Sequence, residues 1–292
     1  MISLLLPTVA QGLLWAVMAL GLYVTFRVLD IADLSVEGSF PLGGAVAAVL
    51  LTKGCNPVTA LLVAAFAGML AGVVTGFLHT KMKIPALLAG ILTMIALYSV
   101  NLRIMGRANL SLLGVDHTFT FIKHLLHIKM APTMFLVGLV ACVIVAVLMY
   151  WFFGTEIGTA IRATGFNQQM IRAQGVNTDV TIVMGLAISN ALVAISGALV
   201  AQSNGFADVG MGVGIIVIGL ASVIIGEVLF GTRSFKNCLI SVILGSIVYR
   251  IVVALVLAMG MPPNDLKLFT SVLVAIALAL PLIKAKLGKK VG

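Results

Sequence analysis

Five polar residues lie where the surrounding sequence is almost wholly apolar: Asp33, Glu37, Asn190, Asp208 and Glu227. Polar and acidic groups at membrane depth are expensive, and they mark substrate or ion paths, relays or buried pairs. Asp33 and Asp208 also stand where a helix could begin, and there a carboxylate can accept a backbone N–H as a cap. Capping and pathway lining therefore stay open for both. Ser35, Ser39, Thr93 and Asn101 add hydroxyl and amide groups to the same apolar stretches. With Asp33, Glu37 and Asn190 they form the set expected to line a path. Glu227 precedes Arg233 by six residues and reads as its ion-pair partner. Arg250 interrupts an apolar run and is expected to meet a carboxylate or to snorkel.

Enzyme chemistry has no foothold. The chain carries no phosphate-binding Gly-x-x-x-x-Gly-Lys-Ser/Thr loop, no His-Glu-x-x-His and no Gly-x-Ser-x-Gly. Cys55, Cys142 and Cys238 have neither a metal spacing nor a redox spacing. His117, His124 and His127 share one mixed loop without zinc-like spacing, so a solvated loop is the expectation and no metal is assigned.

Composition decides the solvent. Hydrophobic residues make up 61% of the 292 and charged residues 9%, whereas soluble domains carry about 25% charged residues. Such a chain is a polytopic membrane protein, multi-pass and all-α. The net charge of +9 fits cytoplasmic loops rich in Lys and Arg beside anionic lipid, and the clustered basic patch that nucleic acid would need is missing.

About 20 apolar residues cross the hydrocarbon as a helix. Nine runs are expected, with eight to ten as the bounds: 4–26, 41–51, 57–78, 84–100, 133–153, 180–201, 215–230, 238–259 and 268–283. The first lacks a basic leader and a small-residue cleavage site, so it reads as a retained span. The second is too short unless the polar stretch Asp33–Phe40 enters the membrane, and broken backbone there must face protein or a water-filled cavity. Gly68, Gly72 and Gly76 form a small-residue ridge on the third run, suited to close helix approach. Nine crossings put Arg27, Lys81, Lys83, Arg162, Arg172, Arg233, Lys236 and four tail lysines on one side. Lys53, Arg103, Arg107, Lys123, Lys129 and Lys267 fall on the other. The richer side is expected to be cytoplasmic. Ala32-Asp33 and Ala207-Asp208 each open a polar break before a small-residue run, which suggests two inverted halves meeting at a central site.

Residues 154–177 form a polar island between two apolar runs. Ile157, Ala160, Ile161 and Thr164 make the stripe of a short amphipathic helix. Gly165 is expected to break it, Asn167 to cap a second helix and Gly175 to end that one. Arg162 and Arg172 make the island basic, and a structured basic element at the inner face reads as a docking surface.

With these residues in view, the chain resembles the permease subunits of bacterial ATP-binding-cassette importers of the branched-chain amino acid and ribose class. ADLSVEGSFPLGGAVAA is similar to that family's first signature, and IGTAIRATGFNQQMIRAQGVNTDVTIVMGLAISNALVAISGALVA looks like its cytoplasmic coupling region and following helix. LLAGILTMIALYSVNLRIMG and the stretch from IVYR to PPNDLKLFTSVLVAIAL resemble a narrower group, paired with lipoprotein binding proteins for tryptophan or tyrosine. Glu37 and Pro41 depart from the ribose-type pattern, where small residues are commoner, so an amino acid with an aromatic or branched side chain is expected over a sugar.

The resemblance implies a single permease domain over 1–292 in a bacterial inner membrane, working by alternating access. It implies a second permease chain, in the simplest case a homodimer, a cytoplasmic ATPase that binds the ATP and magnesium, and a periplasmic or lipid-anchored binding protein. This chain would be no enzyme and would hold no cofactor. Gly158, Ile161, Arg162, Gly165, Asn167, Arg172 and Gly175 would form the coupling element at 154–177. An ion-coupled secondary transporter or a non-transporting membrane scaffold are the alternative readings.

Overall fold

A computed structural model describes residues 2–127, 129–260, 262, 265, 268–272 and 275. The ninth run expected at 268–283, and the tail lysines, fall largely outside the described residues.

Eight long helices form the bundle: α1 (Ile2–Tyr23), α2 (Val36–Thr52), α3 (Pro57–Thr80), α4 (Ala86–Met105), α6 (Met130–Phe152), α9 (Thr178–Asn204), α10 (Ile215–Phe230) and α11 (Phe235–Ala258). Among the described residues seven spans are long and apolar enough to cross a membrane, and α2 is a shorter apolar helix beside them. These eight correspond to the first eight expected runs. Residues such as Leu62, Phe66, Ile95 and Val147 face outward from α3, α4 and α6, as helices solvated by lipid do.

Two short elements were not legible as such. The stretch between α4 and α6, read as a solvated loop, contains strand β1 (Asn109–Ser111) and helix α5 (Thr118–Leu126). β1 pairs antiparallel with β2 (Phe206–Asp208), Leu110 opposite Ala207. Phe119 of α5 is fully buried, and the Gln202 amide oxygen accepts the Thr118 N–H at 2.9 Å. The far end of the bundle, opposite residues 154–177, thus has a packed cap.

The polar breaks are the core of the architecture. α1 runs into a π-helical turn, Val24–Val28, and residues 29–35 are non-helical. Asp30 takes a left-handed φ of 53°, a conformation Asp tolerates better than most side chains. α2 therefore starts beside the middles of α4 and α9: Gly38 packs on Met94 and Leu97, and a Cβ at Gly197 would lie 1.9 Å from the Phe40 carbonyl. The second break has the opposite sense. After α9, β2 and a 3-10 turn at Val209–Gly212 lead back inward. α10 then begins beside Glu37, whose carboxylate accepts the Gly214 N–H at 3.0 Å.

The two halves repeat each other's contacts. α3 packs on α9 as α11 packs on α1, and α2 on α9 as α10 on α1. Asp33 accepts the Ser35 N–H and Asp208 accepts the Gly210 N–H, at 2.9 and 2.7 Å. The spans of α1 and α9 are the most buried, 61% and 67%, against about a third or less for the others. They form the central pair of the bundle.

Small residues allow the close approach. A Cβ at Gly72 would sit 2.3 Å from the Leu186 carbonyl, and one at Gly68 2.4 Å from that of Asn190. Hydroxyls bond carbonyls across the neighbouring seams, Ser189 to Gly21 and Ser196 to Leu14 between α9 and α1, and Ser246 to Gly12 between α11 and α1. Gly72→Ile should force α3 off α9 and destabilise the fold by about 1–3 kcal/mol, the cost of overpacking. Val74→Ile, on the exposed face of α3, should leave the melting temperature in detergent unchanged.

At the far end His117 caps α5, and the Thr120 hydroxyl accepts its backbone N–H at 2.6 Å. Burial holds the imidazole below its ordinary value of 6.5, with Asp116 opposing. The folded state thus favours neutral His117. Its contribution is complete above pH 6.5 and is lost as pH falls through the depressed value. Melting temperature should decline on acidification below pH 6.5, and His117→Asn, a cap that does not titrate, should flatten that part of the profile.

Candidate functional site

The break before α2 is held by a sealed polar cluster. Asp33 Oδ1 accepts the Ser35 N–H at 2.9 Å and faces the Ser35 hydroxyl at 2.6 Å. Asp33 Oδ2 accepts from Asn190 Nδ2 at 2.9 Å. Asn190 Oδ1 accepts from Ser39 Oγ at 2.6 Å, and Asn190 Nδ2 also donates to the Leu186 carbonyl. Asp33, Ser35, Ser39 and Asn190 are each no more than 1% exposed. A carboxylate at this depth is tolerable because both oxygens are engaged. α4 closes over it, for a Cβ at Gly90 would lie 2.7 Å from the Leu34 nitrogen.

The remaining path candidates lie elsewhere. Thr93 bonds Thr75 at 2.9 Å, joining α4 to α3. Glu37 and Asn101 line an open cavity of about 540 Å³ with Pro41, Met94, Tyr98, Ser99, Val209 and Val213. Pro41 has no N–H to give the Glu37 carbonyl four residues earlier. Gly212 packs on that carbonyl, and a Cβ there would come within 1.9 Å of it. The first turn of α2 and the start of α10 are thus in backbone contact.

The polar island folds as two helices, α7 (Glu156–Phe166) and α8 (Gln168–Ala173). Thr155 caps α7, and Asn167 caps α8 by accepting the Met170 N–H at 3.0 Å. Gly175 has a left-handed φ of 86° just beyond α8. Gly165 does not break α7, which continues through it. The chain turns instead at Asn167, with φ −159°. Gly165 serves close packing, since a Cβ there would lie 1.9 Å from the Val28 carbonyl. Gly158 packs likewise on the Phe152 carbonyl, and Ile161 is fully buried.

The basic residues of the island are partly engaged. The Arg162 guanidinium lies 4.9 Å from the Phe235 ring centroid. Arg172 donates to the Thr178 hydroxyl and to Asp179, the latter at 3.1 Å, and Lys81 lies 3.7 Å from the same carboxylate. Two expected pairings differ. Glu227 meets Arg27, not Arg233, because the π-helical turn brings Arg27 to the end of α10. Arg250 stacks over the Trp15 ring at 4.0 Å, a cation–π contact. A cleft of about 890 Å³ opens between α7, the π-helical turn and the α10–α11 connection, and Arg27, Asp30, Arg162 and Arg233 line it. Sequence reasoning missed Phe166, 94% exposed at the turn between α7 and α8. A large aromatic in a basic, polar segment was the available signal.

The family described as branched-chain amino acid transport system, permease component, matches residues 4–279. A tyrosine transport system permease protein from Clostridioides difficile (strain R20291) is 40% identical over 275 residues, spanning 94% of this chain and 90% of that protein. An uncharacterised protein of Rickettsia prowazekii (strain Madrid E) is 34% identical over 286 residues, 95% and 97% of the two chains. Among solved structures, an inward-facing metal-chelate type ABC transporter aligns with a TM-score of 0.50 at 14% identity, over 96% of this chain and 84% of that one. PsaBC from Streptococcus pneumoniae, in complex with Fab, aligns at 0.52 and 15%, over 94% and 88%. At such identities the likeness to the solved structures is one of fold.

Removing the amide of Asn190 tests the sealed cluster. Asn190→Leu leaves one Asp33 oxygen without a partner and should destabilise the protein by about 3 kcal/mol or more. Asp33→Leu combined with Asn190→Leu should be less unstable than the sum of the single changes, read by thermal unfolding in detergent.

Proposed function

The chain belongs to the branched-chain amino acid transport system permease family, and we propose that it is the membrane-spanning subunit of an ATP-driven importer whose substrate is an aromatic amino acid. The elbow of α7 and α8 is the docking element for a cytoplasmic ATPase, which binds the ATP and magnesium. The end carrying Arg27, Lys81, Lys83, Arg162, Arg172, Arg233 and Lys236 faces the cytoplasm of a bacterial cell, in agreement with the excess of basic residues there. A binding protein presents substrate at the far end. Two copies of this chain pair in the membrane, and they alternate between outward and inward states.

The elbow carries this proposal. It is polar and surface-borne, yet welded to the bundle through Gly158, Ile161 and Gly165, so a load on it passes to α1 and α6. Phe166 and Met170 stand exposed at its turn, and an exposed aromatic anchor ringed by polar groups is what a protein partner seats in a pocket. Within the elbow the residues divide the work. Asn167 and Gly175 shape the turns, Arg172 fixes α8 to the start of α9, and Arg162 stands at the cleft where acids of the ATPase would approach. The substrate preference rests on the tyrosine transport relative at 40% identity.

Phe166→Asp alters a side chain with almost no internal contact, so the bundle should fold as before. Co-purification of the ATPase on the tagged permease should drop by about tenfold or more, the loss expected of a central anchor. Retention at the unaltered level would show that the elbow does not seat the partner.

A further inference from the structure

We propose that the cavity at the meeting of the two helix breaks receives the primary ammonium group of the transported amino acid, between the Glu37 carboxylate and Asn101 Oδ1. This rests on the amino acid reading above and gives that reading a selecting site. Asn101 is fully buried, and its Nδ2 donates to the Gly38 carbonyl at 3.1 Å, which fixes the amide's orientation. Its Oδ1 has no partner among the described residues. A buried acceptor without a donor is costly, and here it belongs to a residue that lines a cavity.

Glu37 supplies the second acceptor. It is half-buried in the first turn of α2, and its carboxylate accepts the Gly214 N–H, at 3.0 Å from Oε1, and the Ile216 N–H. Among the described residues no Lys, Arg or His lines the cavity, and Glu37 gives that lining a single negative charge. That balance rejects a lone anion and favours a cation with several N–H donors. One carboxylate is too few oxygen ligands for a metal ion, and no group of three metal-ligating side chains occurs among the described residues. A primary ammonium has three donors for two such acceptors. The walls continue the fit: Tyr98, Met94, Pro41 and Val213 are apolar or aromatic, and a volume of about 540 Å³ lies within the span of small-molecule sites.

Glu37→Gln separates binding from architecture. The amide oxygen of Gln still accepts the Gly214 N–H, so a residue that only holds α10 would tolerate the change. Loss of the charge should lower uptake of radiolabelled L-tyrosine by about tenfold or more in proteoliposomes holding permease, ATPase and binding protein, as expected for one charge-assisted hydrogen bond. The ATPase should still co-purify with the variant. Asn101→Gln, which keeps both the amide donor and the acceptor, should retain more uptake than Asn101→Leu. Wild-type uptake in Glu37→Gln, or Asn101→Leu equal to or better than Asn101→Gln, overturns the site. Absence of uptake of L-tyrosine and of every other amino acid by the unaltered assembly overturns the transport reading itself, and the site with it.

Discussion

A polypeptide that stops being helical inside a membrane must find partners for every N–H and C=O it exposes. In this chain that constraint is met at Asp33. Its carboxylate takes the backbone of Ser35 and the amide of Asn190, and Asn190 in turn takes the hydroxyl of Ser39. Asp33 takes over one backbone N–H that helix would have satisfied, and the four side chains of the cluster seat α2 against α9 at mid-length. Without this cluster the stretch at 29–35 would be forced into helix or out to the surface. α2 would then lose the position from which Glu37 reaches α10.

The second break meets the same demand with different parts. Asp208 accepts the Gly210 N–H, β2 pairs with β1, and Glu37 accepts from Gly214. Each break is thus partly completed by a residue of the other half. Glycine makes that geometry possible at Gly212, where any side chain would collide with the carbonyl that Pro41 leaves without a donor. The two half-helices therefore form one mechanical unit, and a shift of α2 must be felt at the start of α10.

Much of this was legible because membrane constraints are strong and local. Apolar length marked the first eight helices, and the shortness of the second run with Asp33 and Glu37 beside it marked the break. The paired Ala-Asp breaks foreshadowed two breaks that begin alike, each Asp accepting the N–H two residues on. The elbow's two helices were legible from the Ile157–Thr164 stripe and the cap at Asn167. What local sequence does not encode is partnership at a distance. Gly165 looked like a breaker because its carbonyl neighbour at Val28 is far away in the chain. Glu227 looked paired to the nearer arginine because nothing local shows that the π-helical turn delivers Arg27. Likewise the path candidates looked equivalent, although four seal the break, Thr93 ties α4 to α3, and only Glu37 and Asn101 reach the cavity.

The same contacts connect the two ends of the proposed cycle. Gly165 of the elbow lies on the Val28 carbonyl, and Leu29 packs against Gly185 of α9. Asp33 is only four positions beyond Leu29, and Glu37 four beyond Asp33. That segment is short and its start is held, with Leu29 packed between Gly165 and Gly185, so it would pass a displacement on toward Asp33. A partner that moves the elbow would act on the chain where the first break begins. The Asp33–Asn190 cluster would hold the far side of the segment to α9. Motion would then be resolved into rotation of α2 and α10 about their shared contact at Gly212, and the cavity beside Glu37 and Asn101 lies at that contact. The energy-linked surface and the selecting site would be joined by a short stretch of backbone, which requires no relay of side chains across the bundle.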